Sequence, residues 1–499
     1  MMRRHPLAFG PLSLALAGAA LMLGGCGKGE TDALDVAVIG SGPLSLGGAL
    51  APADSEAQAV LRLNIAQGLV RFDAGGQIEP GLAERWTVSD DGLSYIFRLA
   101  AGEWPDGRKI NARDVARILK RQVRAPSGSA TRDALGAVED VVAMTDRVIE
   151  IRLTAPRPNL LELLAQPDLA LIREGAGSGP FRLRPNEANV AATPDRVRLT
   201  RREPGVDGEP GEREEVYLSA IPAGPAITAF VKGRLDLVLG GTVNDLPLAR
   251  RVKLPRRALH FDPANGLFGL VPARGDGPLT DPDLRRLLSQ AIDRGALLAA
   301  LAVPGLGPRA TILQAGLDGV ADPVQPLWLA QPVAERRAAL QAEAQRLFGE
   351  AERPRLRVAL PDGPGGDLLF ARLSADWRAI GIAVERAGPG APADLAWIDE
   401  VAPSGSPGWY LRQFRCGVAA LCIAEADSIM DAARTAPDPA QRGALFADAA
   451  LMIDQASLFI ALAAPVRWSL VGDRATGYQD NRFARHPLAD IVRRPPRGF

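Results

Sequence analysis

The stretch from Gly81 to Val115, GLAERWTVSDDGLSYIFRLAAGEWPDGRKINARDV, constrains the fold more than any other part of the chain. It carries three readable elements in a fixed order. Trp86 to Val88 reads as a short apolar strand. Asp91-Gly92 is a hairpin signal, because a tight hairpin turn asks its central residues for positive φ. Leu93, Tyr95, Phe97 and Leu99 then alternate, as one buried face of a second strand does. Pro105-Asp106-Gly107 interrupts the chain. Asn111 follows as a candidate N-cap, with Asp114 three residues on in capping-box position. Val115, Ile118, Leu119 and Val123 form an apolar stripe at helical spacing.

The rest of the chain is large enough to bury a sizeable core. Its 499 residues, 47% of them hydrophobic, suggest two or three domains. Charge is balanced at 58 basic and 58 acidic residues, with no basic stripe, so nothing points to a nucleic-acid partner. Lysine stands only at Lys28, Lys109, Lys120, Lys232 and Lys253, and arginine supplies the other cations. Anion recognition would use arginine, but codon bias in a GC-rich genome is the better reading, because the abundance of Ala, Gly and Pro points the same way. After Cys26 no apolar run is long enough to span a bilayer.

The N-terminus reads as a secretory leader. Arg3 and Arg4 supply positive charge, Leu7 to Leu23 is almost uncharged, and Leu23-Gly24-Gly25-Cys26 looks like a lipobox. Residues 1–25 would then be removed. Cys26 would carry acyl chains, and residues 26–32 would link this anchor to the folded body. An ordinary signal peptide with an incidental cysteine is the plainer alternative. Gly27, a residue other than Asp after the cysteine, favours the outer membrane over the inner.

The order of features from Gly81 to Val115 resembles the signature region of the family 5 extracellular solute-binding proteins, the peptide, opine and nickel receptors of bacterial ABC importers. The matching positions are Leu82-Ala83, Trp86, Ser89-Asp90-Asp91-Gly92-Leu93, Tyr95, Phe97, Leu99, Gly102, Trp104, Asp106-Gly107, Ala112 and Asp114-Val115. Further matches are Gly177-Ser178-Gly179-Pro180-Phe181, the run Ala229–Gly240, Arg285 with Ala291-Ile292-Asp293-Arg294, Trp377 with Gly381-Ile382, and Gly477-Tyr478. The resemblance implies an α/β fold of the two-lobed periplasmic binding protein type (type II, large peptide-receptor class). Such a fold has mixed sheets with flanking helices and a cleft between the lobes. It places lobe I at 33–265, with a subdomain at about 76–175, lobe II at 266–470, and a C-terminal return to lobe I at 471–499.

Local patterns fit that frame. Asp35 to Ile39 reads as a buried strand. The following Gly40-Ser41-Gly42-Pro43 lacks the third glycine of a dinucleotide loop. In Ala229–Gly240, Gly233 would cap a helix and Leu235, Leu237 and Leu239 would alternate. Asp281-Pro282-Asp283 is a well-formed helix start. Arg355–Leu360, Asp367–Ile380 and Ile382–Glu385 read as a βαβ unit with a parallel strand pair.

The resemblance implies a monomeric receptor that holds a peptide or peptide-like solute, works with permease and ATPase subunits, and needs no cofactor or metal. It places Ser41, Gly42 and Pro43 at the cleft floor. In the second lobe it points to Trp397, Asp399, Glu400, Trp409 and Tyr410, though each aromatic could equally be core. Two departures matter. Val271 stands where the family usually has asparagine. Ser406 precedes Pro407 where the peptide receptors usually carry the aspartate that pairs with the ligand's amino group. Asp399 or Glu400 would have to substitute, or the ligand is not an ordinary free peptide. These departures also admit a solute-binding fold turned sensor or periplasmic chaperone.

Cys416 and Cys422 remain as an even pair in an oxidising compartment, and related receptors often carry a disulfide here. Closing so short a loop contributes about 2 kcal/mol in the chain-entropy model. An enzyme is poorly supplied. Past the leader only His260 and His486 occur, with no G-x-S-x-G, H-E-x-x-H or phosphate-binding loop.

Overall fold

The hairpin and helix of residues 81–124 form, with one difference at the turn. Strands Ala83–Val88 and Ser94–Leu99 pair antiparallel, Trp86 opposite Phe97. Tyr95, Phe97 and Leu99 are buried, as one face of the strand should be. The connection is longer than a two-residue turn: Ser89 N–H donates to Ser94 O, and between them only Gly92 takes a positive φ, +67°. The Asp91 carboxylate accepts from Ser89 Oγ and Leu93 N–H, so a side chain closes the loop. Helix Ala112–Arg124 starts at Asn111, whose side chain accepts from Asp114 N–H at 2.9 Å.

The computed structural model describes residues 33–48, 50, 52–125, 134–183, 196–204, 210–349 and 353–491, so the leader and Cys26 lie outside the described residues. A seven-stranded sheet runs in the order Arg182–Leu183, Arg196–Pro204, Pro210–Ile221, Leu34–Ile39, Leu237–Thr242, Arg467–Val471 and Leu259–Asp262. Leu34–Ile39 lies inside it, parallel to both neighbours. Burial on both faces explains its apolar run. The same reason corrects the alternation expected around Leu237. Leu237, Val238 and Leu239 are all buried, because this strand too is covered on both sides.

A five-stranded sheet has the order Ala383–Arg386, Arg355–Ala359, Leu395–Val401, Gly266–Pro272 and Ile460–Ala461. Arg355–Ala359 and Ala383–Arg386 are parallel, joined by helix Pro364–Ala379. That helix begins three residues before the expected Asp367, since Pro364 takes the first-turn position that suits proline. Its Trp377 is fully buried, and the indole N–H donates to Leu288 O at 2.9 Å. A four-stranded antiparallel sheet from residues 83–153 covers its own apolar core.

The chain steps between the two large sheets twice. Asp262 ends a strand of the first and Gly266 starts one of the second; Ala461 ends a strand of the second and Arg467 starts one of the first. Beside these crossings a single apolar cluster joins Val238 and Leu470 of one sheet to Phe268 and Leu356 of the other. Cys416 and Cys422 are bonded as a disulfide, with Cα atoms 5.1 Å apart.

Asp454, near the end of helix Pro439–Gln455, accepts from Ile312 N–H at 2.9 Å. Burial pushes its pKa up to about 7, against weaker pulls from that hydrogen bond and from Arg309. The folded value lies above the unfolded one, so the folded state is favoured while Asp454 holds its proton. It loses at most about 1.4 kcal/mol per pH unit as pH rises between the two values. Asp454→Asn is therefore expected to melt higher than the parent at pH 8 and level with it at pH 4. A variant that melts lower at pH 8 would refute the assignment.

Candidate functional site

Where the two large sheets face each other they enclose a cavity of about 320 Å³. The seven-stranded sheet contributes Gly240, Gly241, Thr242, Asp262, Arg467, Trp468 and Ser469; the five-stranded sheet contributes Asp399, Glu400 and Val401. Gly241 is required by packing. A Cβ there would lie 2.2 Å from two atoms of the Trp468 indole, which rests on it. Trp468 is held in place by its N–H, which donates to Thr242 O at 2.8 Å. Gln166, Phe483, Arg485, His486 and Trp409 complete the walls.

Most charges in the cavity are already paired. Arg467 Nη1 donates to Asp399 Oδ1 at 2.7 Å, and Nη2 to Asp399 O at 3.0 Å, across the two sheets. Arg485 pairs with Glu56 at 2.7 Å. His486 Nε2 lies 3.2 Å from Asp262 Oδ2, both side chains buried. Glu400 differs. Among the described residues no cation lies within ion-pair reach of it, and its one neighbour is Gln413 Nε2 at 3.4 Å. Desolvation, and then the Asp399 charge, raise its pKa against a weaker pull from Arg467, and the side chain stays exposed to solvent at the cavity rim. A second cavity of about 620 Å³ continues past Glu400 and adds Asp54 and Asp168 to Glu56 and Asp399. This end of the cleft is acidic.

The residues singled out from sequence separate into three groups. Asp399, Glu400 and Trp409 line the 320 Å³ cavity. Trp397 lies one turn of the strand away, half-buried and edge-on to Phe268, and Tyr410 is fully buried in edge-to-face contact with Trp409. Neither lines any of the described cavities. Both behave as core aromatics: Trp397 shares the strand face of Asp399 but lies two residues further along, packed on Phe268, and Tyr410 is turned away from the cleft by the helix Pro407–Arg412. Ser41, Gly42 and Pro43 are exposed after the strand Leu34–Ile39 and do not line the cavity either. Sequence reasoning missed Glu56, Gln166, Asp262, Arg467, Trp468 and His486. They come together only through the folded topology, and no local motif marks them.

Three hydrogen bonds close the seam beside the cavity. Gln166 Nε2 donates to Pro403 O at 2.8 Å, and Gly405 N–H donates to Glu162 Oε2 at 2.8 Å. Asn159 donates to Asp318, and Arg482 is ion-paired with Glu162. These contacts tie residues 159–166 to segments more than 150 residues later in the chain.

The family model for bacterial extracellular solute-binding proteins, family 5 Middle, matches residues 77–405. The probable di/tripeptide-binding protein 5 of Pseudomonas aeruginosa is 24% identical over 97% of this chain and 98% of its own. The dipeptide-binding protein of Escherichia coli is 25% identical over 63% of this chain and 64% of its own. Among solved structures, Haemophilus influenzae OppA in complex with RPPGFSPFR superposes with a TM-score of 0.76, at 15% identity, over 93% of this chain and 100% of that one. The Escherichia coli murein tripeptide binding protein MppA gives 0.75 at 16% identity, over 91% and 97%.

Proposed function

The chain belongs to family 5 of the bacterial extracellular solute-binding proteins and has their two-lobed α/β fold, and from that premise we propose that it captures a peptide or peptide-like solute for an ABC importer. Lobe I is residues 33–265 and lobe II starts at 266; the return to lobe I falls between Ala461 and Arg467, a few residues ahead of the expected 471, because Arg467–Val471 is a strand of the seven-stranded sheet. The observation that carries the reading is the cavity between the two large sheets, walled by Trp409 and Trp468, with Glu400 facing it free of a cationic partner among the described residues. A solute touching both walls stabilises the closed arrangement over an open one, and the permease and ATPase subunits read the closed shape. No bond in the solute has to break.

Glu400 takes the place of the aspartate that Ser406 replaces. Asp399 is spent on Arg467, so it neutralises a protein cation rather than a ligand. A peptide's α-ammonium would find in Glu400 a charge-assisted acceptor. The mature protein is held to a membrane through Cys26, with the outer membrane favoured by Gly27.

Mass spectrometry of solute retained by the purified protein would identify the ligand class directly. A binding peptide at a hundred times its Kd should stabilise the protein by about 2.7 kcal/mol. Silence across di- to pentapeptides in a thermal-shift screen would overturn the reading. Glu400→Gln should weaken free peptides about tenfold, the difference between a charged and a neutral acceptor. N-acetylated peptides, which lack the ammonium, should bind parent and variant alike.

A further inference from the structure

On the far side of Trp409 lies a larger cavity, about 680 Å³, of a size that holds a substantial part of a ligand. Trp409 lines both this cavity and the 320 Å³ one onto which Glu400 faces, so the two share a wall. Its charge is opposite. Arg157, Arg412, Arg415, Arg434 and Arg442 all line it, against one carboxylate, Asp318.

The arginines are unevenly neutralised. Arg415 grips both oxygens of Asp431, at 2.8 and 3.0 Å, and Arg434 reaches the same carboxylate only at 3.8 Å. Arg157 donates to Pro156 O, and Arg442 to Ala436 O and Pro437 O. Among the described residues neither has a carboxylate within ion-pair distance. Arg157 is half-buried, and its proton affinity is lowered by that burial and by the charges of Arg434 and Arg442. Arg157 therefore sits within reach of two other guanidinium charges, and of the three only Arg434 reaches a carboxylate, Asp431, which Arg415 already holds. Asp318 does not relieve them, since it accepts from Asn159 and is directed to the seam. Guanidinium is the group best matched to a carboxylate, which it can hold through two parallel N–H donors.

We propose that the 680 Å³ cavity is an anion subsite whose Arg157 and Arg442 hold carboxylates of the solute, so that the natural ligand is a peptide-like molecule with acidic side chains and a net negative charge. This rests on the capture of a peptide-like solute proposed above and deepens it. The ligand's amino end lies against Glu400, its acidic groups lie among the arginines, and Trp409 stands between. The cleft is polarised, and a solute of matching polarity is preferred to a neutral one of the same shape.

Isothermal titration with two isosteric peptides, Ala-Glu-Glu-Ala and Ala-Gln-Gln-Ala, tests this on the intact mature protein. The glutamyl peptide should bind at least about tenfold tighter, as a charge-assisted bond exceeds a neutral one. In Arg157→Gln/Arg442→Gln that ratio should fall to within about threefold, with the melting transition recorded to show that the variant is folded. The unaltered protein gives a second readout should the variant misfold, because raising NaCl from 50 to 500 mM should reduce the ratio by screening. Equal affinity for the two peptides, or a preference that survives the double substitution or is indifferent to salt, would overturn the subsite and leave peptide capture standing. No binding of either peptide, nor of any in the screen, would remove both.

Discussion

Arg467→Met is expected to cost about 3–5 kcal/mol of unfolding free energy at pH 8, measured by urea titration, because it strands a buried charge. Arg467 belongs to the seven-stranded sheet and Asp399 to the five-stranded one. Their side chains are only 17% and 12% exposed. Burial pushes the Asp399 pKa up, and the guanidinium pulls it down. With the guanidinium gone, only the upward push is left. The variant should then regain stability as pH falls, since a carboxyl whose folded pKa is raised is tolerated once it holds its proton. Asp399→Asn/Arg467→Met removes both charges and should recover most of the loss, because a buried pair replaced as a unit is often close to neutral. A double variant as unstable as the single would mean that the bridge acts by packing rather than by charge.

The same pair shows what a lone sequence can and cannot say about this cleft. Asp399 was visible, because it sits beside a tryptophan in a stretch that resembles the family's binding region. Arg467 was not, since it lies 68 residues further on and no spacing rule links strands of different sheets. Elements behaved differently. The Asn111 cap and the Asp281-Pro282 helix start depend on neighbours within a few residues, the parallel pair around Trp377 on one strand–helix–strand unit, and each formed where its chemistry is written. Misreadings arose where tertiary context overrode local pattern. Around Leu237 a covered second face erased the alternation, and at Asp91 the side chain built a loop in place of a two-residue turn. Tryptophan and tyrosine were ambiguous for a physical reason. The same large apolar surface that serves a ligand serves a core, and only the direction of the side chain decides. Trp409 opens on two cavities, while Tyr410, one residue later, opens on none of the described ones.

Directionality also explains why the seam should matter more to ligand affinity than to folding. Gln166–Pro403 and Glu162–Gly405 join residues on opposite sides of the cleft, at 2.8 Å each, without passing through the apolar cluster beside the sheet crossings. An open form would keep that cluster and lose these bonds. Glu162→Ala/Gln166→Ala removes one charge-assisted and one neutral hydrogen bond that only the closed form makes, together about 2–4 kcal/mol, and it also removes the Arg482–Glu162 pair, which open and closed forms share. A solute that binds by closing the lobes must then supply that amount itself. Its Kd should rise roughly 30- to 1,000-fold. The unliganded variant should melt only modestly below the parent, through loss of the Arg482–Glu162 pair, and show a larger radius of gyration in solution scattering. Unchanged affinity in a folded variant would mean that the two segments stay together whether or not a solute is bound, and closure would no longer account for capture.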